Sequence, residues 1–353
     1  MTGITRRSLL VRGSAAAGGL ALARAGLPSL AAAAGDEATF QLGWIANVEN
    51  MGEFVAAERG YYTAEGLDLT IEPGGPAVSV EPLVVGGKAL VGLSQPDNVA
   101  RARANGGKLK VIGATFQRNP SAVMSLASNP IAMPQDLVGK KLGLQQSGVP
   151  IYDAFFKSIN IDPKTITYVP VQFDPAPLVS GQVDAFASFQ TNQPIQLKTQ
   201  GVDTVTFLLA DFGFNLYSDA VIVSEETLND AGKRATVTKI LRATIKGWQD
   251  ALADPAGAAK LVVEKYGTSL NLDLNAQTLT AQAEVPLIQT DETAAHGLLS
   301  MSQTGIDQNI ATMRASGVEA TAEDIFDTSI LAEIGPIGAG TPAAATPGAT
   351  PVS

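Results

Sequence analysis

Short apolar segments alternate with helical patterns along much of this 353-residue chain. Alternation of this kind predicts βαβ units around a mainly parallel sheet. In the first part, paired glycines such as Gly86-Gly87 and Gly106-Gly107 end the predicted helices. The predicted strands of this part are residues 40–44, 67–71, 89–93 and 109–113, and the helices between them are residues 51–62, 78–85 and 97–104.

The same alternation returns in the middle of the chain, and a helical region follows it. The predicted strands there are residues 141–144, 166–169, 183–187, 205–208 and 220–223. Helices are predicted between them at 151–159, 175–180 and 193–199, and after them at 235–252, 256–266, 275–283 and 305–315. Two α/β units followed by helices predict an α/β fold of two lobes, with a cleft that closes by hinge motion.

The lobes are expected to be discontinuous in sequence, because the chain leaves the first lobe near Thr115 and returns near Asp219. We predict residues 36–116 as the first part of lobe one and 117–215 as lobe two. Residues 216–334 are predicted to complete lobe one with the C-terminal helices. A Gly-, Pro- and Ala-rich stretch at 335–353 is predicted to be a flexible tail.

Residues 1–35 have the layout of an export signal. Arg6-Arg7 precedes a short apolar stretch, and an alanine run ends at Ala34. The paired arginines resemble a twin-arginine signal; the alternative is an amphipathic leader. No cysteine follows the segment, so anchoring through a lipidated N-terminal cysteine is excluded.

Composition excludes several kinds of chemistry. The chain has no cysteine and one histidine, His296, so disulfides, thiolate metal sites and Cys nucleophiles are ruled out. The formal charge of −10 disfavours nucleic acid as a partner. We therefore predict no cofactor, no metal site and no catalytic group.

Polar and aromatic side chains follow four predicted strands, at the turns where ligands bind in open α/β sheets. These turns are Trp44–Asn50, Ser94–Asn98, Gln145–Val149 and Phe189–Pro194. Asp97 and Asp174 are also natural helix caps, and Tyr217 lies near the return crossing. The candidate ligand-binding residues are Trp44, Asn47, Glu49, Gln95, Asp97, Gln117, Ser147, Asp174, Phe189, Asn192 and Tyr217.

Amides, hydroxyls, carboxylates and aromatic rings suit a planar, polar heterocycle, because rings stack and amides bind ring edges. A sulfonate or nitrate would favour Arg or Lys in these turns, and none of the four contains one; Arg118 is the nearest cation. Gly74-Gly75-Pro76 lacks the Gly-Lys-Ser/Thr that a phosphate loop needs, and is predicted to be a turn.

Three segments carry a resemblance to a known family. They are Gly43–Glu49, the run Ala57–Tyr62 with Glu65-Gly66-Leu67, and Phe173–Pro177. The chain resembles the solute-binding proteins of ABC importers, within the nitrate/sulfonate/taurine and thiamine-pyrimidine-synthase-like superfamily, over roughly residues 38–330. The resemblance implies a type II periplasmic-binding-protein fold with the ligand between the lobes. It also implies Trp44 as a stacking platform, with Asn47, Glu49, Gln95 and Asn192 as hydrogen-bonding groups.

The resemblance favours an exported receptor that captures a thiamine-precursor pyrimidine or riboflavin without chemistry. It implies an ABC permease and its ATPase as partners, membrane contact only through the permease, and a location in the periplasm or at the outer face of the membrane. The alternatives are a receptor for an alkanesulfonate- or taurine-like anion and an enzyme of the pyrimidine-synthase type. Eukaryotic synthases of this fold consume an active-site histidine and carry a cysteine-rich motif, whereas this chain has no cysteine.

Overall fold

The computed structural model describes residues 35–338. The predicted export signal lies outside these residues except for Gly35, and the predicted tail lies outside them beyond Gly338. Over the described range, no helix is both long and apolar enough to cross a membrane.

Ten strands in the described residues form two five-stranded sheets. The strands are β1 Asp36–Gln41, β2 Leu67–Glu72, β3 Val91–Ser94, β4 Leu109–Phe116, β5 Ser121–Leu126, β6 Lys141–Leu144, β7 Thr167–Pro170, β8 Ala185–Phe189, β9 Thr204–Leu208 and β10 Ser218–Ser224. The order is β2-β1-β3-β10-β4 in the first sheet and β7-β6-β8-β5-β9 in the second.

Helices cover the sheets and connect their strands. Those between strands are α1 Met51–Glu58, α2 Tyr61–Ala64, α3 Glu81–Val85, α4 Pro96–Ala104, α5 Val149–Ser158, α6 Ala176–Val179 and α7 Gln193–Thr199. Those after β10 are α8 Glu225–Asn229, α9 Ala231–Ala253, α10 Pro255–Leu261, α11 Leu274–Ile288, α12 Asp291–His296, α13 Gln303–Ala315, α14 Ala322–Ile325 and α15 Ser329–Ile334.

Both sheets are mainly parallel, as the alternation predicted, but each contains one antiparallel strand. In the first sheet β1 is parallel to β2 and β3, but β10 is antiparallel to β3 and β4. In the second, β6 is parallel to β7 and β8, but β5 is antiparallel to β8 and β9. The two antiparallel strands are the first strands that the chain forms after passing from one sheet to the other, so they enter each sheet from the opposite end.

The fold is therefore α/β with two lobes, which we define by their sheets. Lobe one holds the first sheet and lobe two the second. The chain passes between them at residues 117–120, from β4 to β5, and again at residues 209–217, from β9 to β10. The strand β10 lies between β3 and β4, so the first sheet includes a strand that follows all of lobe two in sequence.

Close packing of α9 on α1 positions one wall of the space between the lobes. A Cβ on Gly247 would lie 2.1 Å from the Gly52 carbonyl oxygen, so the two helices meet at backbone distance. Trp248 fills the adjacent space and is fully buried. This contact holds the start of α1, and the turn before it, against the C-terminal helices.

Candidate functional site

A cavity of about 380 Å³ lies between the lobes, within the usual range for small-molecule sites, roughly 300–1,000 Å³. Both sheets contribute to it through the segments that follow their strands. Lobe one lines it with Gly43, Trp44, Glu49, residues 77–81, Leu93, Ser94, Gln95, Asn98 and Asp219. Lobe two lines it with Ser121, residues 145–152, Ala187, Ser188, Phe189, Asn192 and Gln193.

Trp44 contributes a large aromatic side chain to the lobe-one wall. Its carbonyl oxygen accepts a hydrogen bond from the Gly74 amide at 2.7 Å, which fixes the backbone just after β1. Only glycine fits at position 74, because a Cβ there would lie 2.4 Å from the Leu42 carbonyl oxygen. The indole itself is half-buried, so a planar ligand in the cavity has a ring face to stack on.

Glu49 lies in a single helical turn, Val48–Asn50, that is held at two points. The Asn47 Oδ1 accepts a hydrogen bond from the Glu49 amide at 3.1 Å. The Val48 amide donates to Gln277 Oε1 of α11 at 3.2 Å. These contacts place the Glu49 side chain, which is 4% exposed, on the wall of the cavity.

Asp219 is a lining residue that the sequence did not identify as a ligand-binding candidate. It lies in β10 with φ of 45°, a left-handed conformation unusual for a residue with a side chain. The residue is 8% exposed, and its Oδ2 is buried without a hydrogen-bond partner among the described residues. The one sequence signal for Asp219 is its position, directly after the segment where the chain returns from lobe two to lobe one.

Glu49 and Asp219 belong to a carboxyl cluster that also contains Glu53 and Glu284. Burial raises the pKa of Glu49 well above 4.5, and the nearby charges of Asp219 and Glu284 raise it further. Burial, followed by the charge of Glu53, raises the pKa of Asp219 to about 7, although the hydrogen bond with Glu49 lowers it. Burial and the repulsion between the two carboxyls therefore favour a proton on the pair.

The other two members of the cluster lie behind the pair. Burial raises the pKa of Glu53 to about 7, partly offset by the hydrogen bond that Trp248 Nε1 donates to its Oε1 at 3.1 Å. Burial and the charge of Asp219 raise the pKa of Glu284. Among the described residues, no salt bridge involves any of the four. Buried carboxyls without a cation favour the protonated form, so the cluster retains protons near neutral pH.

The raised pKa values predict that the stability of the unliganded protein falls as pH rises. The pKa of Asp219 is about 7 in the folded protein, against 3.8 for the unperturbed group, and that of Glu53 is about 7 against 4.5. The folded state therefore holds protons that the unfolded chain has lost between roughly pH 4 and 7. As pH rises through this window, the loss of the proton from each group is expected to lower the free energy of unfolding by up to about 1.4 kcal/mol per pH unit.

Urea unfolding at about pH 5 and about pH 8 measures this difference, with the higher stability expected at the lower pH. Asp219→Asn removes one of the titrating groups and is expected to make the dependence shallower. Equal stability at the two pH values, or greater stability at the higher one, would contradict the protonated cluster.

Lobe two presents amides, hydroxyls and one aromatic ring to the cavity. Gln145 Nε2 donates to the Ala187 carbonyl oxygen at 3.2 Å, and Gln193 Oε1 accepts from the Phe189 amide at 3.3 Å. Phe189 also packs edge-on against Phe116, with ring centroids 6.4 Å apart. Ser188 Oγ is buried without a hydrogen-bond partner among the described residues.

The structure brings six of the eleven predicted residues together around the cavity. They are Trp44, Glu49, Gln95, Ser147, Phe189 and Asn192. The sequence analysis missed Asp219, Glu81, Ser188 and Gln193, which also line it. Of these, Ser188 and Gln193 are within one residue of a predicted candidate, whereas nothing in the local pattern marked Glu81.

Asn47, Asp97 and Gln117 lie outside the lining, contrary to their selection as ligand-binding candidates. Asn47 uses its side-chain oxygen to cap the turn that holds Glu49. Asp97 is fully buried and forms an ion pair with Arg101, one helical turn further along α4. Gln117 Nε2 donates to the carbonyl oxygens of Ala114 at 2.9 Å and Ser300 at 3.0 Å.

Asp174 and Tyr217 also lie outside the lining. Asp174 is exposed, and its Oδ1 accepts a hydrogen bond from the Ala176 amide at 2.9 Å, which is the capping role that the sequence left open. Tyr217 is buried against α13, where a Cβ on Gly305 would lie 1.8 Å from the tyrosine hydroxyl. Its amide donates to Asn309 Oδ1 at 2.8 Å. All five side chains are thus engaged with the protein itself.

The cavity is suited to a ligand with an aromatic ring and polar edges. Among the described residues of the lining there is no Lys, Arg or His, whereas Glu49, Glu81 and Asp219 are acidic. Over residues 35–338 there is also no group of three or more His, Cys, Asp or Glu arranged to hold a metal ion. His296 is exposed at the end of α12 and does not line the cavity.

A protein-family model described as "NMT1/THI5 like" matches residues 47–258. The riboflavin-binding protein RibY of Chloroflexus aurantiacus is 26% identical, over 82% of this chain and 83% of that protein. The formylaminopyrimidine-binding protein of Halalkalibacterium halodurans is 30% identical, over 73% and 75%. A 4-amino-5-hydroxymethyl-2-methylpyrimidine phosphate synthase of Saccharomyces cerevisiae is 28% identical, over 68% and 74%.

Solved structures show a similar fold. The alkanesulfonate-binding protein SsuA from Xanthomonas axonopodis pv. citri, bound to MOPS, superposes with a TM-score of 0.59, over 82% of this chain and 96% of that one. The two sequences are 17% identical. The likeness therefore concerns the fold of two α/β lobes.

Proposed function

Because this chain belongs to the NMT1/THI5-like family, we propose that it is an exported solute-binding receptor of an ABC importer. Its ligand is a small aromatic heterocycle of the thiamine-precursor pyrimidine or riboflavin type, bound between the lobes without chemistry. A permease and its ATPase then take the ligand from the closed receptor. Export rests on the signal-like segment 1–35, and the transporter partners rest on the family resemblance.

One observation carries this proposal, namely the composition of the cavity between the lobes. Trp44 and Phe189 offer aromatic surfaces, and Gln95, Gln145 and Asn192 offer amides. Relatives named for riboflavin and formylaminopyrimidine binding favour the same ligand class. A planar ring that stacks on an aromatic face and forms hydrogen bonds at its edges matches these groups.

The charge of the cavity argues against an anionic ligand. Glu49, Glu81 and Asp219 line it, and the described lining contains no cation. A sulfonate would meet carboxyl groups where it needs Arg or Lys. The fold that this chain shares with SsuA does not offset that mismatch, because fold does not determine ligand chemistry.

A synthase activity is the second candidate, since one of the relatives above is named as a pyrimidine phosphate synthase. The family resemblance implies that such synthases consume a histidine in the site. Here the one histidine of the chain, His296, is exposed at the end of α12 and away from the cavity. This position favours binding over catalysis.

Contacts between the lobes are consistent with a receptor that closes on its ligand. The Ser147 amide of lobe two donates to the Pro76 carbonyl oxygen of lobe one at 3.1 Å. Arg101 of α4 donates to the Pro150 carbonyl oxygen at the start of α5, at 3.0 Å. Both contacts involve lining residues of lobe two, Ser147 and Pro150, so closure both encloses the ligand and joins the lobes.

Native mass spectrometry of the mature protein, with an absorbance spectrum of whatever denaturation releases, tests the proposal. We expect one small molecule per chain, or saturable binding of an added heterocycle when the purified protein is empty. Absorption in the visible would identify a flavin, and absorption only in the ultraviolet a pyrimidine. Turnover of the bound molecule, or binding of sulfonates alone, would contradict a heterocycle receptor.

A further inference from the structure

We propose that the Glu49–Asp219 pair is the subsite for an amidine edge of the ligand, meaning an amino group next to a basic ring nitrogen. The inference rests on the proposed function and narrows it. Of the heterocycles that the proposed function allows, the site would select a basic aminopyrimidine-type ring over a neutral flavin ring.

The position of the pair is the first argument. Both residues line the cavity, at 4% and 8% exposed, so a ligand that touches them there is removed from bulk water. Asp219 Oδ2 is buried without a hydrogen-bond partner among the described residues. The Asn47 cap and the bond from Val48 to Gln277 hold Glu49 in place before any ligand arrives.

Among residues 35–338, no cation faces the pair. The charged groups that face it are Glu53 from α1 and Glu284 from α11, and both are carboxyls with an oxygen that lacks a partner among the described residues. Asn50, next to Glu49, likewise has a buried Oδ1 without such a partner. The described residues around the pair therefore offer four carboxyls and no cation. A ligand that brings N–H donors or positive charge would stabilise the ionised carboxyls, whereas a ligand without either would leave them uncompensated.

The protonation of the pair completes the match. Burial and the repulsion between the two carboxyls favour a proton on the unliganded pair. An amidine edge accepts that proton at its ring nitrogen and donates an amino N–H to a carboxylate oxygen. If the ligand arrives neutral, the proton moves within the complex and none is exchanged with solvent. If it arrives protonated, one proton leaves the pair for solvent.

A flavin ring cannot be bound in the same way. Its hydrogen-bonding edge places an N–H between two carbonyl oxygens, so it carries no amino group and takes no positive charge. It therefore cannot offset the charge of the buried carboxyls. Selection for the amidine follows from the basicity of its ring nitrogen and from the absence of a cation among the described residues around the pair.

Calorimetric titration of the mature protein near neutral pH tests this subsite. The probes are 4-amino-5-hydroxymethyl-2-methylpyrimidine, the same pyrimidine without its amino group, riboflavin and MOPS. We expect the wild-type protein to prefer the amino compound over its deamino counterpart by roughly 10–100-fold. Glu49→Gln and Asp219→Asn are each expected to reduce that preference to about threefold or less. Two variants are used because either one alone could disturb folding.

Glu226→Gln is the matched control, since it removes the same charge from an exposed residue on α8 that pairs with Lys233. It is expected to keep the wild-type preference. Retention of the full preference in both cavity variants would overturn the subsite. Binding of riboflavin without the aminopyrimidine would also overturn it while leaving the receptor function intact. Binding of MOPS alone, or of none of the four probes, would overturn the proposed heterocycle receptor and the subsite together.

Discussion

Replacement of Trp44 by alanine is expected to weaken binding of the heterocycle by about 1–3 kcal/mol, roughly 5–150-fold in Kd. The indole is the large aromatic side chain that lobe one presents to the cavity, and it is half-buried without ligand. Its loss removes the face on which the ring of the ligand stacks and admits water beside that ring. The effect should appear mainly in the dissociation rate, because the rest of the cavity is unchanged.

The fold is expected to tolerate this change. The hydrogen bond from Gly74 to the Trp44 carbonyl oxygen involves only the backbone and survives the substitution. Isothermal titration gives the affinity, and urea unfolding shows that the free energy of unfolding stays within about 1 kcal/mol of wild type. Trp44→Phe keeps a ring and is expected to recover part of the affinity. An unchanged affinity in Trp44→Ala would show that the ligand stacks elsewhere.

Replacement of Trp248, the second of the two tryptophans in the chain, is expected to act on stability instead. Trp248→Ala should lower the free energy of unfolding by about 3–5 kcal/mol. The side chain is fully buried, and its ring lies so close to Gly52 that a Cβ there would be 2.2 Å away. The substitution leaves a void between α9 and α1. It also removes the hydrogen bond from Nε1 to Glu53, leaving that buried carboxyl with one donor fewer.

Urea unfolding measures the loss, and Trp248→Phe separates its two causes. The phenyl ring refills most of the void but cannot donate a hydrogen bond to Glu53. We therefore expect a free energy of unfolding between those of Trp248→Ala and wild type, with its maximum at a lower pH than in wild type. Because the start of α1 adjoins the turn that holds Glu49, folded Trp248→Ala is also expected to bind ligand more weakly. A stability loss below about 1 kcal/mol would contradict the packing described here.

Much of the fold could be predicted from local pattern. The apolar runs at 67–71, 109–113 and 141–144 are strands, and 193–199 is a helix with the predicted bounds. Strand β5 at 121–126 was missed, because five of its six residues are buried and it shows no alternation. Helix α9 begins at Ala231 rather than at 235, since Asp230 caps it by accepting from the Lys233 amide at 2.9 Å.

The candidate site could be predicted only in part. The rule that ligands bind where strands end identified four turns, each of which contributes to the cavity, but it missed the lining segment 77–81 after β2. It could not separate a polar side chain that faces the cavity from one that caps a helix, as Asn47 and Asp174 do. Asp219 was missed because β10 follows a crossing between lobes, and its neighbours come from distant parts of the chain.

Sequence alone determined most of the strands and helices, because hydrophobic periodicity and glycine placement act over a few residues. It also excluded cysteine chemistry and left one histidine for any catalytic role. Tertiary structure decided which side chains meet. Glu49 faces the cavity because Val48 bonds to Gln277, 229 residues further along the chain. The pKa values of Glu49, Asp219 and Glu284 are raised because a turn, a strand and a helix from separate parts of the chain bury these carboxyls together, and desolvation depends on that assembly.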